Sequence, residues 1–162
     1  MKWLLCTISA VGLLALQSYA QTGNASATVT LTVSATVTVT NVRGLNFGTH
    51  VQDSTAASVN PNTGGTNAAY FTLQTSANHA STVTYTHTSM ASGSNTINWT
   101  PSVVGADNSA SQSTAGPVTS GGSITTNSSG FYYFWVGGTT DVITNSTPPG
   151  TYTGTFTLTV AY

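Results

Sequence analysis

From Tyr152 to Tyr162 every second side chain is apolar, apart from Gly154, and threonine fills almost every position between. A period of two marks a strand with one face on a core and the other tolerant of water. Tyr152, Phe156, Leu158, Val160 and Tyr162 share the first face; Thr151, Thr153, Thr155, Thr157, Thr159 and Ala161 share the second. A similar run stands near the other end, where Val29, Leu31, Val33, Ala35, Val37 and Val39 alternate with threonines and Ser34. A chain with such strands at both ends has to place both of their apolar faces on a core.

The first run is too long for that purpose alone. Residues 27 to 40 would span roughly 45 Å at about 3.3 Å per residue, whereas most strands have about 5 to 6 residues. Either the run bends or changes sheets partway, or its first half, residues 21 to 34, projects from the domain as a segment seeking an edge to pair with. Both possibilities are open at the level of sequence.

The N-terminus reads as a secretory signal. Lys2 supplies the positive charge, Trp3 to Leu16 an apolar stretch, and Ser18-Tyr19-Ala20 an exit that places cleavage before Gln21. Export through the Sec pathway then leads through a periplasm to the cell surface or beyond. Removing residues 1–20 from the 162 leaves a chain of 142, the size of one domain, with no stretch apolar enough to span a membrane. Cys6 leaves with the signal, so the exported chain has no disulfide framework and rests on packing and strand pairing.

Charge excludes further classes. Without Lys2 the chain keeps one base, Arg43, against Asp53, Asp107 and Asp141, a formal net charge of −2. About a quarter of an average globular sequence is charged, so at 3% this surface is built from Thr, Ser, Asn and Gly. One arginine cannot neutralise a row of phosphates, which excludes nucleic acid and anionic membrane as partners. A surface so poor in charge also resists self-association weakly.

Between the two runs, turn formers separate short apolar segments. Leu45 and Phe47 share a face between Gly44 and Gly48; Ala68 to Leu73 forms a strand after the Asn60 to Gly65 turn cluster. Thr82 to Thr88 alternates again, Ile97 and Trp99 lie on a short strand stopped by Pro101, and residues 105–123 read as long loops with one edge strand at most. Phe131 to Val136 is a dense aromatic strand ended by Gly137-Gly138, with Val142-Ile143 and Pro148-Pro149-Gly150 after it. No helical periodicity occurs outside the signal. Seven or more short strands between turns predict an all-β antiparallel sandwich.

A catalytic reading finds no foothold. No Gly-x-Ser-x-Gly elbow is present, and His79 and His87 stand about 26 Å apart along an extended chain. The aspartates stand singly, without the clustering a calcium loop needs. The expectation is a non-enzyme with no cofactor and no metal. Trp99, Tyr132 and Trp135 carry two readings: rings buried in a core, or an exposed row that stacks on sugars. The threonine rows raise a third idea, an ice-binding face, which needs several such rows side by side.

The ending Phe134-Trp135-Val136-Gly137-Gly138-Thr139, followed by Pro149-Gly150-Thr151-Tyr152-Thr153-Gly154 and the alternating run to Tyr162, resembles that of a bacterial domain family, DUF4402. Leu45-Asn46-Phe47-Gly48-Thr49 and Ala69-Tyr70-Phe71-Thr72-Leu73 resemble its earlier segments, so the likeness covers most of residues 27–162. That family is similar to pilin-type subunits of chaperone-usher fimbriae and to the spore coat protein U group. The resemblance implies an immunoglobulin-like sandwich lacking its last strand, which a periplasmic chaperone lends until the N-terminal extension of the next subunit replaces it. The chain departs from the pilin branches in having no disulfide and almost no charge.

The expected organisation is a signal over residues 1–20, a donor extension over 21–34 and a sandwich over 35–162. The resemblance assigns Val29, Leu31 and Val33 as donor side chains, and Phe156, Leu158, Val160 and Tyr162 as the acceptor strand and chaperone contact. The expected function is a structural subunit that self-associates into a fimbria or surface fibre, with a periplasmic chaperone and an outer-membrane usher as further partners. The rival expectation is a monomeric binding module or adhesin that engages glycans through Trp99, Tyr132 and Trp135. A third is an uncharged coat or matrix protein.

Overall fold

The computed structural model describes residues 27, 28, 30, 31, 36–52 and 55–162. The expected signal peptide, Val29, Val33 and Asp53 lie outside the described residues. The chain divides into two units, Met1–Val33 and Ser34–Tyr162. All the elements below belong to the second.

The described residues form eleven strands: β1 Thr38–Arg43, β2 Thr55–Val59, β3 Ala69–Gln74, β4 Ala80–His87, β5 Met90–Ser92, β6 Asn95–Ile97, β7 Trp99–Ala106, β8 Gly116–Pro117, β9 Gly122–Thr125, β10 Phe131–Ile143 and β11 Phe156–Ala161. Every pairing is antiparallel. One sheet has the order β1-β3-β10-β7-β8, with β2 also paired to β10; a second has the order β11-β4-β9; β5 and β6 form a small hairpin. The fold is the antiparallel β-sandwich that the alternation predicts.

The core lies between the two sheets and is filled by one parity from each strand. Phe71 and Leu73 of β3, Phe134 and Val136 of β10, Val83 of β4 and Leu158 of β11 are all buried together. Phe134 sits opposite Phe71 in the ladder and is fully enclosed. Each such side chain contributes about 1.5–3 kcal/mol relative to an exposed one. With one cysteine in the sequence no internal disulfide can form, so this layer is the main source of stability.

Local sequence signals misplace two boundaries. Pro101 does not stop a strand: β7 runs through it, with Pro101 opposite Gly138. Val103, of the same parity, directs its carbonyl to Val118 on the side away from β10. Pro101 therefore faces that same side, beyond the end of β8, and its missing N–H removes no bond from the ladder. Gly137-Gly138 is likewise no break but the middle of β10. β2 and β3 lie end to end along one edge of that strand, and residues 60–68 loop out between them. A Cβ on Gly137 would stand 2.0 Å from the Val59 carbonyl oxygen, so the glycine answers a close backbone approach rather than a turn.

Leu45 and Phe47, whose spacing of two is that of a strand, form none. They nevertheless keep a common side: Leu45 packs on the core and Phe47 meets Trp99 edge to face at 5.8 Å.

β10 carries a bulge where Thr140 and Asp141 together oppose Ala57. The Thr140 hydroxyl is buried there, accepts from the Ala57 N–H at 2.8 Å and donates to the Asp141 carbonyl at 2.8 Å. Thr140→Val keeps the shape but leaves the Ala57 donor without a partner. We expect a loss of about 1–3 kcal/mol in urea unfolding, the usual desolvation penalty of an orphaned buried group. An unchanged midpoint would contradict the role given to this hydroxyl.

Candidate functional site

One side of the sandwich is open. β1 ends the six-stranded sheet, β11 ends the three-stranded one, and the two end strands approach each other. Among the described residues no strand pairs with the outer edge of either. Two rows of backbone donors and acceptors thus line one side of the domain without ladder partners.

Alternation decides what lies between those rows. Val37 and Val39 from the β1 side, and Phe156 and Val160 from β11, are half-buried and pack on the core, while Leu158 is buried. The Phe156 ring lies 5.9 Å from Phe71 and 5.5 Å from Tyr85. Beyond the end of β1 a cavity of about 340 Å³ opens between residues 44–47 and 152–156. Leu45, Phe47, Phe71, Met90, Trp99 and Phe156 give it an apolar lining. The open side therefore offers hydrogen-bonding edges and an apolar floor together.

Tyr162 departs from its neighbours on β11. It is 52% exposed, its ring stacks on His79 at 3.7 Å, and its hydroxyl donates to the Ser76 hydroxyl. It ties the chain end to the β3–β4 turn, while Phe156, Leu158 and Val160 face the core. Of the three donor side chains named from the sequence, Leu31 alone is described, and it is 83% exposed.

The aromatic residues considered for sugar stacking are divided between the two faces of β10 and the core edge. Trp99 is 6% exposed; its indole N–H donates to the Thr88 carbonyl at 2.9 Å, and His87 and Phe47 close on its ring. Trp135 is 2% exposed, on the other face of the six-stranded sheet, beneath Tyr70 at 5.4 Å and beside Val104 and Ala115. Tyr132 points inward beside Phe134. Neither indole presents an open face to a flat ligand. The outer ladder is instead Phe131, Tyr133, Tyr70 and Trp135, and Tyr70 enters it from β3. The alternation of Ala69-Tyr70-Phe71 puts Tyr70 on that side, but only the β3–β10 register brings it to Trp135.

Arg43 closes this ladder. Its guanidinium lies 5.8 Å from the Tyr70 ring centre and donates to the carbonyls of Ala68 and Gly65, each at 2.8 Å. Arg43, the one Lys or Arg among the described residues, is thus engaged in holding the end of β1 to the loop before β3. Among the described residues no three His, Cys, Asp or Glu side chains come together as a metal site would require.

Two phenols are shifted. Burial, then the charge of Asp107, raises the pKa of Tyr132; burial, then Tyr133, raises that of Tyr70, with Arg43 acting in the opposite sense. A raised folded-state pKa means the folded state holds the proton more tightly. The stability tied to these neutral phenols is fully present below pH about 10 and is lost as pH climbs through the folded-state values. Thermal unfolding of Tyr132→Phe should fall less than wild type above pH 10; parallel curves would contradict the assignment.

The family whose model matches residues 37–162 is described as "Domain of unknown function (DUF4402)". No curated protein and no solved structure matches the chain.

Proposed function

The chain belongs to the DUF4402 family, and on that premise we propose that it is a non-enzymatic, exported structural subunit that polymerises by strand exchange. The extension at residues 21–34 of one copy is the donor, and the open side between β1 and β11 of the next is the acceptor. The observation that carries this reading is the coincidence of two unpaired edges from different sheets over one apolar row. A strand with alternating apolar side chains satisfies both at once: its backbone completes the ladder and its side chains fill the floor.

The donor side chains are Val29, Leu31 and Val33, spaced at the period of two that a ladder demands. Each well-buried plug contributes about 1.5–3 kcal/mol, and three of them with backbone pairing make a junction that dissociates slowly. A periplasmic chaperone that lends a strand, and an outer-membrane usher, fit the same acceptor while subunits wait. The product is a fimbria or surface fibre.

A synthetic peptide of residues 25–34 tests the acceptor directly. Added in excess during assembly, it should cap subunits and shorten the polymer, while the same peptide carrying Leu31→Asp should have no effect. Polymers of equal length with either peptide would rule out strand exchange at this side.

A further inference from the structure

The two ends of the sandwich differ in shape. β1 starts at Thr38 beside Gln74, the last residue of β3, and β11 finishes at Ala161 beside Thr82 near the start of β4, so the chain enters β1 at the end that carries the β3–β4 turn. At the opposite end, past Arg43 and before Phe156, a cavity of about 740 Å³ lies between residues 45–52 and 147–152, with Ala57, Met90 and Ile143 behind it. It shares Leu45, Phe47 and Tyr152 with the smaller cavity of the open side.

Hydrogen bonds hold both ends in shape. Residues 75–79 and 127–130 form two turns tied together: the Asn78 N–H donates to the Asn127 carbonyl at 3.0 Å, the Thr75 N–H to the Gly130 carbonyl at 2.8 Å, and the buried Thr126 hydroxyl to the Ser76 carbonyl at 2.7 Å. Ser76, Ala77 and Asn78 stand exposed at the tip, and neither turn contains a charged side chain. Around the cavity, the Gln52 amide donates to the Thr147 carbonyl and joins the two loops, while the Tyr152 hydroxyl donates to the Pro148 carbonyl at 2.8 Å. The described lining mixes apolar and neutral polar side chains, without Lys, Arg, Asp or Glu. Val51 in that lining is 68% exposed, an apolar side chain that the fold leaves uncovered.

We propose that the tip of the β3–β4 turn of one copy seats in this cavity of the next, a second contact that rests on the strand-exchange reading and stands beside the donor strand. A junction that set turn end against turn end would be self-complementary and would close after two copies; an open polymer needs the turn end of one copy against the opposite end of its neighbour. The cavity lies at that opposite end and adjoins the open side that takes the donor. Tip and cavity are both uncharged, so their contact strips no ionic shell. Each is tied by its own hydrogen bonds before they meet, which keeps the ordering cost of the contact low. Ala77 of one copy then covers Val51 of the other. A donor strand alone joins two domains at a hinge, and a seated turn beside it fixes their angle and stiffens the fibre.

The test uses residues 21–162, which contain no cysteine, carrying Ala77→Cys together with Val51→Cys. Both positions are exposed, so the changes disturb no packing. Treated with a short bismaleimide and then boiled in denaturant, the double variant should give a ladder of covalent oligomers that extends past the dimer, and each single variant should run as a monomer. The same protein without cross-linker, run unboiled, reports strand exchange separately. Covalent dimers from Ala77→Cys alone would set turn end against turn end and overturn the proposal. An unboiled ladder without a covalent one overturns this contact and leaves strand exchange standing; the absence of both ladders overturns strand exchange and the contact with it.

Discussion

Replacing Leu31 by aspartate should abolish polymer formation while leaving the domain folded. The side chain is 83% exposed in the single chain, so the monomer loses no packing by the change. In the proposed junction the same position would enter the apolar floor that Val39, Phe156 and Val160 help to form. An unpaired carboxylate there costs several kcal/mol, and each 1.4 kcal/mol is tenfold in affinity, so the junction weakens by orders of magnitude. Electron microscopy and light scattering should find monomers with a wild-type melting curve. Fibres of normal length from this variant would remove Leu31 from the interface.

Phe134→Ala has the largest expected effect on the domain itself. Phe134 is fully buried at the centre of β10, opposite Phe71 and 5.0 Å from the Tyr132 ring. Truncation removes its apolar area and leaves a cavity that two closely paired sheets cannot close, a loss of about 3–5 kcal/mol. Domains of this size are stable by about 5–15 kcal/mol in total, and this one lacks a disulfide to limit the unfolded state. Urea unfolding should show a much lower midpoint, and the yield of folded protein should drop. A shift under about 1 kcal/mol would mean that the core is less tightly packed than the ladder register indicates.

Where side-chain alternation decides the outcome, the sequence is a sufficient guide. The parity of Phe156, Leu158 and Val160 predicts which way each faces, and all three turn to the core. The same holds for Phe71 and Leu73. What the local pattern misses depends on neighbours far along the chain. Pro101 is harmless because its N–H would point past the end of β8, and Gly137 continues its strand because Val59 approaches its backbone. Tyr162 keeps the parity of its strand yet turns onto His79 and Ser76, partners supplied by the β3–β4 turn.

The candidate site divides in the same way. The apolar rows on β1 and β11 can be read one residue at a time, but their convergence on one open side is a property of sheet order, with β1 and β11 at adjacent ends. Trp99 and Trp135 illustrate the converse. Their chemistry suits a sugar as well as a core, and only Thr88, His87, Tyr70 and Ala115 around them decide for burial.

Strand exchange is tested most directly on a denaturing gel, with residues 21–162 run unboiled beside boiled, together with a version lacking residues 21–34. The account predicts a ladder of oligomers that collapses on boiling and is absent from the shortened chain, which remains a folded monomer. A single monomer band from both proteins, each still folded, would contradict it.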